Sequence, residues 1–198
     1  MKLSRQAWTA IRALIVLTIV LGIVYPAVIW LAGLALPSQS NGSLVRDDAG
    51  RIVGSSLIGQ SFTDKKGKPL AQWFQSRPSA AGETGYDASA SVGSNWGPNN
   101  PDLVKAVRER KAQIAAFNGV PESAVPADAV TASGSGLDPD ISEAYALLQV
   151  DRVADARHLD QAAVKRLVEQ HVEPRALGYL GEPVVNVVEL NLALAHQK

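Results

Sequence analysis

Cysteine is absent from this 198-residue chain. Its absence excludes disulfide bonds, thiolate metal sites and cysteine nucleophiles, so a folded domain must be held together by packing alone. The three histidines, His158, His171 and His196, are far apart in the sequence and match no HExxH-type ligand pattern. We therefore predict no metal site.

The chain also lacks an excess of charge of either sign. Lysine plus arginine and aspartate plus glutamate both number 19, which gives a formal net charge of zero. Proteins that bind nucleic acids usually carry a clear basic excess, because they neutralise phosphate groups. The charge balance therefore predicts no nucleic-acid partner.

Charge is missing altogether from residues 13–36, ALIVLTIVLGIVYPAVIWLAGLAL. As an α-helix this run would be roughly 36 Å long, slightly more than the roughly 30 Å hydrocarbon core of a bilayer. We predict one membrane-spanning helix, kinked by a mid-run proline and offering glycines to a partner helix. The candidate helix contacts are Gly22, Tyr25, Pro26 and Gly33.

Charged residues on either side of the apolar run predict its orientation. The preceding residues include Lys2, Arg5 and Arg12 with no acidic residue, whereas the charges after it are mixed. The positive-inside rule places residues 1–12 in the cytoplasm and the rest of the chain on the periplasmic side of the inner membrane. A cleaved signal peptide is the alternative, although its apolar region is usually only 7–15 residues long.

Beyond the span we predict a polar connector at 37–50 and one compact mixed domain at 51–198, giving an α+β fold with three or more helices and a small sheet. The expected elements are β-prone pieces in 51–62, a strand at 70–76, helices at 101–118, 141–157 and 161–172, and a strand at 184–188 running into a short helix. Asn100, Asp140 and Asp160 are the expected helix caps, and Gly119 is an expected helix stop.

Residues 77–101 form the most unusual stretch. Fourteen of these 25 residues are glycine, serine, asparagine or proline, and an unstructured loop of this length is uncommon inside a compact domain. Tyr86 and Trp96 favour an ordered loop packed by its own side chains, since disordered linkers are poor in large aromatics. Such a loop is a candidate surface for a ligand or a partner chain.

Candidate chemistry outside the loops is sparse. A membrane-anchored periplasmic hydrolase would use Ser79, Ser133 or Ser135 as its nucleophile, yet the sequence has neither GxSxG nor SxxK. An ion-binding module would use the oxygens of Asp138 and Asp140, which are also suited to capping a helix. We keep both as alternatives to a non-catalytic role.

Gln149 is an isolated amide among apolar neighbours in a predicted helix. We expect its side chain to lie on the solvated face, with hydrogen bonding to a ligand or a partner as the alternative.

Several segments together resemble the KdpC family. They are WFQSRPSA (73–80), GSNWGPNNP (93–101), VPADAVTASGSGLD (125–138), QVDRVADAR (149–157) and GYLGEPVVNVVELNLAL (178–194). The Tyr25-Pro26 pair in the apolar run fits the same pattern. Gln75 and Trp96 differ from the glycine and leucine expected there.

The resemblance implies an accessory, non-catalytic subunit of the Kdp potassium-import complex. The implied partners are a channel-like potassium-binding subunit, a P-type ATPase subunit that hydrolyses ATP, a small single-helix subunit and membrane lipid. The candidate partner-contact residues in the loops are Arg77, Pro78, Asn95, Trp96, Ser133 and Ser135.

The resemblance also implies two roles that conflict physically. One is a catalytic chaperone that raises the ATP affinity of the ATPase subunit, with a glutamine that matches Gln149 contacting the nucleotide. The other is a structural subunit whose exported domain covers the potassium entrance. A domain outside the cytoplasm cannot touch cytoplasmic ATP, so the predicted orientation favours the second role. No cofactor is expected on this chain itself, and ATP enters only through the complex.

Overall fold

The computed structural model describes residues 2–197. Met1 and Lys198, the ends of the predicted N-terminal segment and domain, lie outside the described residues. The chain divides into two compact units, one ending at Leu44 and the other beginning at Val45.

The first unit is dominated by one long helix. It consists of α1 (Lys2–Ile19), a π-helical turn (Val20–Val24) and α2 (Tyr25–Leu34), followed by the short α3 (Pro37–Ser40). The predicted apolar helix is therefore confirmed, and it begins well before the apolar run itself.

The π-helical turn lies directly before Pro26. Tyr25 donates its backbone N–H to the carbonyl of Val20, five residues back, in place of the usual four. Proline lacks an N–H and its ring crowds the preceding turn, and a widened turn relieves both problems. The helix therefore continues through Pro26 instead of stopping there.

The whole apolar surface of this helix is exposed. Every residue from 3 to 32 is exposed, including Leu21 at 62%, Ile23 at 63% and Trp30 at 65%. Its length and composition are sufficient to cross a membrane. An apolar surface of this size is compatible with contact to lipid or to other helices.

A β-hairpin of β1 (Leu44–Arg46) and β2 (Ile52–Ser55) follows, and all of it but Leu44 belongs to the second unit. Asp47 closes the turn, because its carboxylate accepts hydrogen bonds from the backbone N–H groups of Ala49 and Arg51 at 3.0 and 2.9 Å. The first β-prone piece is therefore confirmed. The second is a turn with an isolated bridge.

The remaining elements are helices of different lengths and the three strands of a second sheet. In order they are α4 (Pro101–Asn118), a 3₁₀ turn (Glu122–Ala124), α5 (Ala127–Val130), β3 (Asp140–Ser142), α6 (Glu143–Leu148), α7 (Val150–Arg157), α8 (Gln161–Gln170), β4 (Val172–Glu173), β5 (Val184–Asn186) and α9 (Val187–Ala195). The sheet order is β3–β5–β4, with both pairs antiparallel. The predicted α+β class is confirmed.

Two predicted helices begin at the expected caps. The first also ends where expected, whereas the helix predicted over 161–172 ends at Gln170 because Val172 pairs with Val185 in the sheet. Asn100 accepts a hydrogen bond from the N–H of Asp102 at 2.7 Å to begin α4, and Gly119 ends it with a left-handed φ of 67°. Asp160 caps α8 by accepting from the N–H of Ala163 at 3.0 Å. The predicted strand at 184–188 running into a helix is also confirmed as β5 and α9.

The prediction of one helix over 141–157 with Asp140 as its cap was wrong. Ile141 is buried in β3 and pairs with Val185, so sheet formation overrides helix propensity there. Ser142 provides the cap instead, accepting from the N–H of Tyr145 at 3.1 Å. The helical stretch is then interrupted at Gln149, between α6 and α7.

The core lies where α6, α7, α8 and α9 pack around β5. Val185 faces Ile141 on one side and Val172 on the other, and it is fully buried. Other fully buried members include Phe74, Ala129, Ala146, Val153, Ala154, Val168, Val187, Leu190 and Leu194. A core of this kind explains how the second unit is held without disulfides.

Candidate functional site

The segment 70–76, predicted as a strand, begins with a turn at 71–73. It continues as a stretch over 74–76, here called the extended segment, whose backbone is paired with side chains. Asn191 on α9 accepts the N–H of Phe74 and donates to its carbonyl, both at 2.9 Å. Gln149 does the same for Gln75, accepting at 2.7 Å and donating at 3.1 Å. The two amides replace a neighbouring strand, so the strand assignment was wrong although Phe74 is buried as expected.

Arg152 on α7 completes this arrangement. Its Nη1 donates to the carbonyls of Ala71 and Trp73, and its Nη2 donates to Oε1 of Gln149 at 2.7 Å. Its guanidinium also lies 4.5 Å from the ring centroid of Phe117, and burial lowers the pKa of Arg152 to about 10. A buried cation of this kind is tolerated because carbonyl oxygens and an aromatic face surround it.

Gln149 has no exposed surface. The expectation that its amide lies on the solvated face was wrong, because the break between α6 and α7 turns it into the core. Both ends of the amide are occupied by Gln75, and Oε1 also accepts from Arg152. A nucleotide that contacted this amide would have to displace backbone hydrogen bonds.

Residues 77–101 and 131–138, here called the paired loops, are joined by an ion pair. Nη1 of Arg77 donates to Oδ2 of Asp138 at 2.7 Å, with both side chains partly buried. The carbonyl of Pro78 accepts from the N–H of Ser133 at 2.9 Å. Three of the predicted contact residues are therefore brought together here.

Ser79 is the central hydrogen-bonding residue of the paired loops. Its hydroxyl donates to the carbonyl of Gly136 at 2.7 Å and accepts from the N–H groups of Ala81 at 3.0 Å and Tyr86 at 2.9 Å. Every hydrogen-bonding position of this hydroxyl is therefore occupied by the fold.

Ser133 and Ser135 stabilise the shorter of the paired loops through hydrogen bonds within it. Ser133 is 1% exposed, so its side chain does not reach the loop surface. Ser133 accepts from the N–H of Asp138 at 3.2 Å, and Ser135 accepts from the N–H of Leu137 at 3.0 Å. Their hydroxyl oxygens are 3.3 Å apart. Within residues 2–197, no histidine side chain hydrogen-bonds to these serines or to Ser79. The geometry thus offers no activated serine nucleophile among the described residues.

Tyr86 packs the longer of the paired loops, residues 77–101, against the rest of the domain. Its hydroxyl donates to the carbonyl of Arg77 at 3.0 Å, and burial raises its pKa to about 12. A Cβ at Gly59 would lie 2.5 Å from Cε1 of Tyr86, so only glycine allows this close approach. The prediction of an ordered loop is confirmed.

Asn95 and Trp96 lie in the second half of this loop and are exposed. Asn95 has a left-handed φ of 52°, a conformation that asparagine tolerates better than most residues. Trp96 is 39% exposed, so it contributes less to loop packing than Tyr86 does. The two residues remain predicted partner contacts.

Two clefts flank the extended segment. The larger has a volume of about 470 Å³ and the smaller about 210 Å³. Gln75, Ser76 and Arg77 line both clefts. The larger is further lined by Gln60, Ser61, Phe62, Thr63, Lys66, Gly67, Ser79, Glu83, Thr84, Gly85 and Tyr86.

An acidic group lies beside the paired loops at β3. Burial, together with the neighbouring charges of Asp138, Glu173 and Glu189, raises the pKa of Asp140 to about 6. Within residues 2–197, no group of three or more His, Cys, Asp or Glu side chains is arranged to hold a metal ion.

The predicted helix contacts lie in or beside the π-helical turn and near the end of α2. Gly22 has nothing within 4 Å of an added Cβ, and Gly33 has only Cβ of Ser40 at 3.5 Å. Tyr25 is 58% exposed. These positions therefore leave room for the close approach of another helix.

Known proteins similar to this chain identify its family. The family model described as KdpC, K+-transporting ATPase, c chain, matches residues 7–196. The chain belongs to the KdpC family. The resemblance noted from the sequence blocks is thereby confirmed.

Curated relatives support the same family over nearly the whole chain. All three of the following are called potassium-transporting ATPase KdpC subunit. The Kineococcus radiotolerans protein is 53% identical over 97% of this chain and 94% of the relative. The Gemmatimonas aurantiaca protein is 55% identical over 90% and 86%. The Mycobacterium tuberculosis protein is 49% identical over 97% and 98%.

Sequence reasoning missed two polar residues that organise this KdpC-family domain. Arg152 and Asn191 are buried, with exposures of 9% and 3%. The one available signal was their position among apolar helix residues, where a buried polar group must have a partner. The identity of that partner, a backbone 79 or 117 residues away in sequence, depends on the tertiary fold.

Proposed function

We propose that this chain is the accessory, non-catalytic subunit of a potassium-transporting ATPase complex. Its helix anchors it in the inner membrane, with the N-terminus in the cytoplasm and the second unit in the periplasm. Membership of the KdpC family and the names of the curated relatives support the assignment to such a complex. The excess of basic residues before the apolar run supports the orientation.

The observation that carries the proposal is the fully exposed apolar helix. A helix that is apolar all round and exposed along its length is suited to lipid and partner helices. The partners we propose are the channel-like potassium-binding subunit, the P-type ATPase subunit and the small single-helix subunit.

The polar groups of the second unit support a role in assembly instead of chemistry. The hydroxyl of Ser79 joins the paired loops, those of Ser133 and Ser135 stabilise the shorter loop internally, and the amide of Gln149 holds the extended segment. A rigid loop surface of this kind suits recognition of a partner, because little conformational entropy is lost on binding. We propose that Arg77, Pro78, Asn95, Trp96 and Ser135 contribute to that surface, whereas Ser133, which is 1% exposed, supports it from beneath.

We further propose that any effect on ATP affinity is transmitted through the membrane helices. The burial of Gln149 supports this indirect route, since its amide is occupied on both sides. Coupling of this type typically amounts to about 1–3 kcal/mol, or roughly 5–150-fold in affinity. A direct contact between Gln149 and the nucleotide is the competing mechanism.

The orientation is tested with alkaline phosphatase, which is active only in the periplasm, fused after Lys198. Activity supports the periplasmic domain and leaves Gln149 no direct access to cytoplasmic ATP. An inactive fusion, combined with activity of a cytoplasmic reporter at the same position, would overturn the orientation and favour direct nucleotide contact.

The route to ATP is tested separately with a photoreactive ATP analogue added to the assembled complex. We expect labelling of the ATPase subunit and none of this chain. Labelling of this chain that disappears in Gln149→Leu, but persists in the control Gln170→Leu on the exposed end of α8, would overturn the indirect route.

A further inference from the structure

Residues 174–183 form a closed loop between β4 and β5. Arg175 pairs with Glu182 across its base, and an isolated β-bridge joins Ala176 to Leu180. Within the loop, the N–H of Gly178 donates to the carbonyl of Arg175 at 2.9 Å, and that of Leu180 donates to Ala176 at 2.9 Å. These contacts give the loop a defined conformation.

The tip of this loop projects apolar side chains into solvent. Leu177 is 82% exposed, Tyr179 is 69% exposed and Leu180 is 50% exposed. Gly178 and Gly181 have left-handed φ values of 81° and 77°, which permit so tight a turn. In the described part of the second unit, Leu177 and Tyr179 are the most exposed of the large apolar side chains.

The chemistry of the tip suits the interface between water and lipid. Residues 176–181, ALGYLG, carry no charge, and the charges of Arg175 and Glu182 oppose each other at the base. Tyrosine favours the headgroup level of a bilayer, because its ring is apolar and its hydroxyl is polar. Leucine side chains on either side of it gain by leaving water.

We propose that the tip, residues 176–181, inserts into the interfacial layer of the bilayer that holds the N-terminal helix. This inference rests on the proposed membrane anchoring. Only a short connector, residues 35–43, joins α2 to β1, so the bilayer is presented to the domain at a high effective concentration. A convex tip with few polar groups needs no complementary pocket to enter lipid.

The absence of native cysteine allows a single environmental probe on the full chain. Leu177→Cys, labelled with a nitrobenzoxadiazole fluorophore, is reconstituted in vesicles of phosphatidylcholine and phosphatidylglycerol. We expect a blue-shifted emission that is quenched by lipids with a nitroxide near the headgroup and is protected from aqueous iodide. Ala112→Cys on the exposed face of α4 is the matched control and should report water.

Three outcomes would overturn the inference. Water-like emission at Leu177→Cys, in protein that floats with the vesicles, would exclude lipid insertion while leaving the anchoring intact. A blue shift that requires the other ATPase subunits, without nitroxide quenching, would identify a protein pocket as the binding site. Failure of the chain to float with the vesicles would instead overturn the anchoring itself.

Discussion

Single side chains determine how the second unit holds its irregular segments. Gln149 and Asn191 each bind one residue of the extended segment through both its N–H and its carbonyl. These bonds satisfy backbone groups that would otherwise be buried without partners. The amides therefore act as substitutes for a neighbouring β-strand.

Replacing Gln149 with leucine should destabilise the domain. Gln149→Leu keeps a similar volume but leaves the N–H and carbonyl of Gln75 and one donor of Arg152 unpaired in the interior. We expect the free energy of unfolding to fall by about 3 kcal/mol, since each unpaired buried group costs about 1–3 kcal/mol. Urea unfolding of the detergent-solubilised chain, followed by tryptophan fluorescence, measures the loss.

The exposed Gln170 on α8 provides the control for this substitution. Gln170→Leu should change the free energy of unfolding by less than about 0.5 kcal/mol. Equal effects of the two substitutions would contradict the structural role of the Gln149 amide.

Asp140 should make the stability of the domain depend on pH. Its folded-state pKa of about 6 lies above the reference value of 3.8, so the folded state binds the proton more tightly. The resulting stabilisation is fully present below pH 3.8 and is lost as the pH rises through about 6.

At neutral pH, Asp140→Asn should therefore be more stable than the parent chain. Solvent screens this partly exposed carboxyl, so we expect a gain of about 1 kcal/mol. Urea midpoints measured across the acidic range should converge for the two proteins below the window of titration. Asp155→Asn on the exposed side of α7 is the control and should reproduce the pH profile of the parent chain. If the urea midpoints of Asp140→Asn and the parent chain differed by the same amount at every pH, the titration of Asp140 would not be the cause of the difference.

At the scale of elements, the starts of helices that follow a loop could be predicted from the sequence, whereas the start of a helix that directly follows a strand could not. The caps of α4 and α8 need only a side chain and the next turn of backbone, so local sequence is sufficient. The start of α6 depends instead on Ile141 pairing with Val185, 44 residues later. The strand predicted at 70–76 failed for the same reason, since its partners are side chains from distant helices.

The paired loops should respond very differently to two neighbouring glycine substitutions. Gly136 has a φ of 72°, and a Cβ there would lie 2.7 Å from both Cβ of Ala81 and the carbonyl oxygen of Val92. Gly134 has nothing within 4 Å of an added Cβ. Gly136→Ala should lower the free energy of unfolding by about 2 kcal/mol or more, whereas Gly134→Ala should be nearly neutral.

Limited proteolysis of residues 77–101 measures this difference together with the thermal unfolding midpoint. We expect cleavage of the loop to accelerate in Gly136→Ala and to remain at the parent rate in Gly134→Ala. Equal cleavage rates for the two variants would show that the contact between the paired loops does not hold the longer loop.

At the scale of the whole molecule, the two units have different requirements. The second unit buries its own apolar residues, including Val185 and Leu190, and so forms a hydrophobic core from its own residues. The first unit exposes its apolar surface throughout residues 3–32 and depends on surroundings that the chain does not supply. Assembly should therefore be most sensitive to changes in the helix.

Gly22→Ile should weaken assembly with the partner subunits without unfolding this chain. The added side chain meets no atom of its own chain within 4 Å at Cβ, but it would prevent close approach of a partner helix. We expect the yield of co-purified ATPase subunits to fall several-fold. Gly22→Ala should have a smaller effect, and unaltered co-purification with isoleucine would exclude this face of the helix as the contact.

The sequence by itself determined the apolar helix, the α+β class, the ordered loop and the family. Each of these depends on composition, on local periodicity or on blocks of adjacent residues, which do not require knowledge of distant contacts. Only the tertiary structure decided that Gln149 is buried, that the Arg152 guanidinium binds backbone carbonyls, and that the loop tip with Leu177 is exposed. Burial and hydrogen bonding are properties of residues brought together from distant parts of the chain, so local sequence could not specify them.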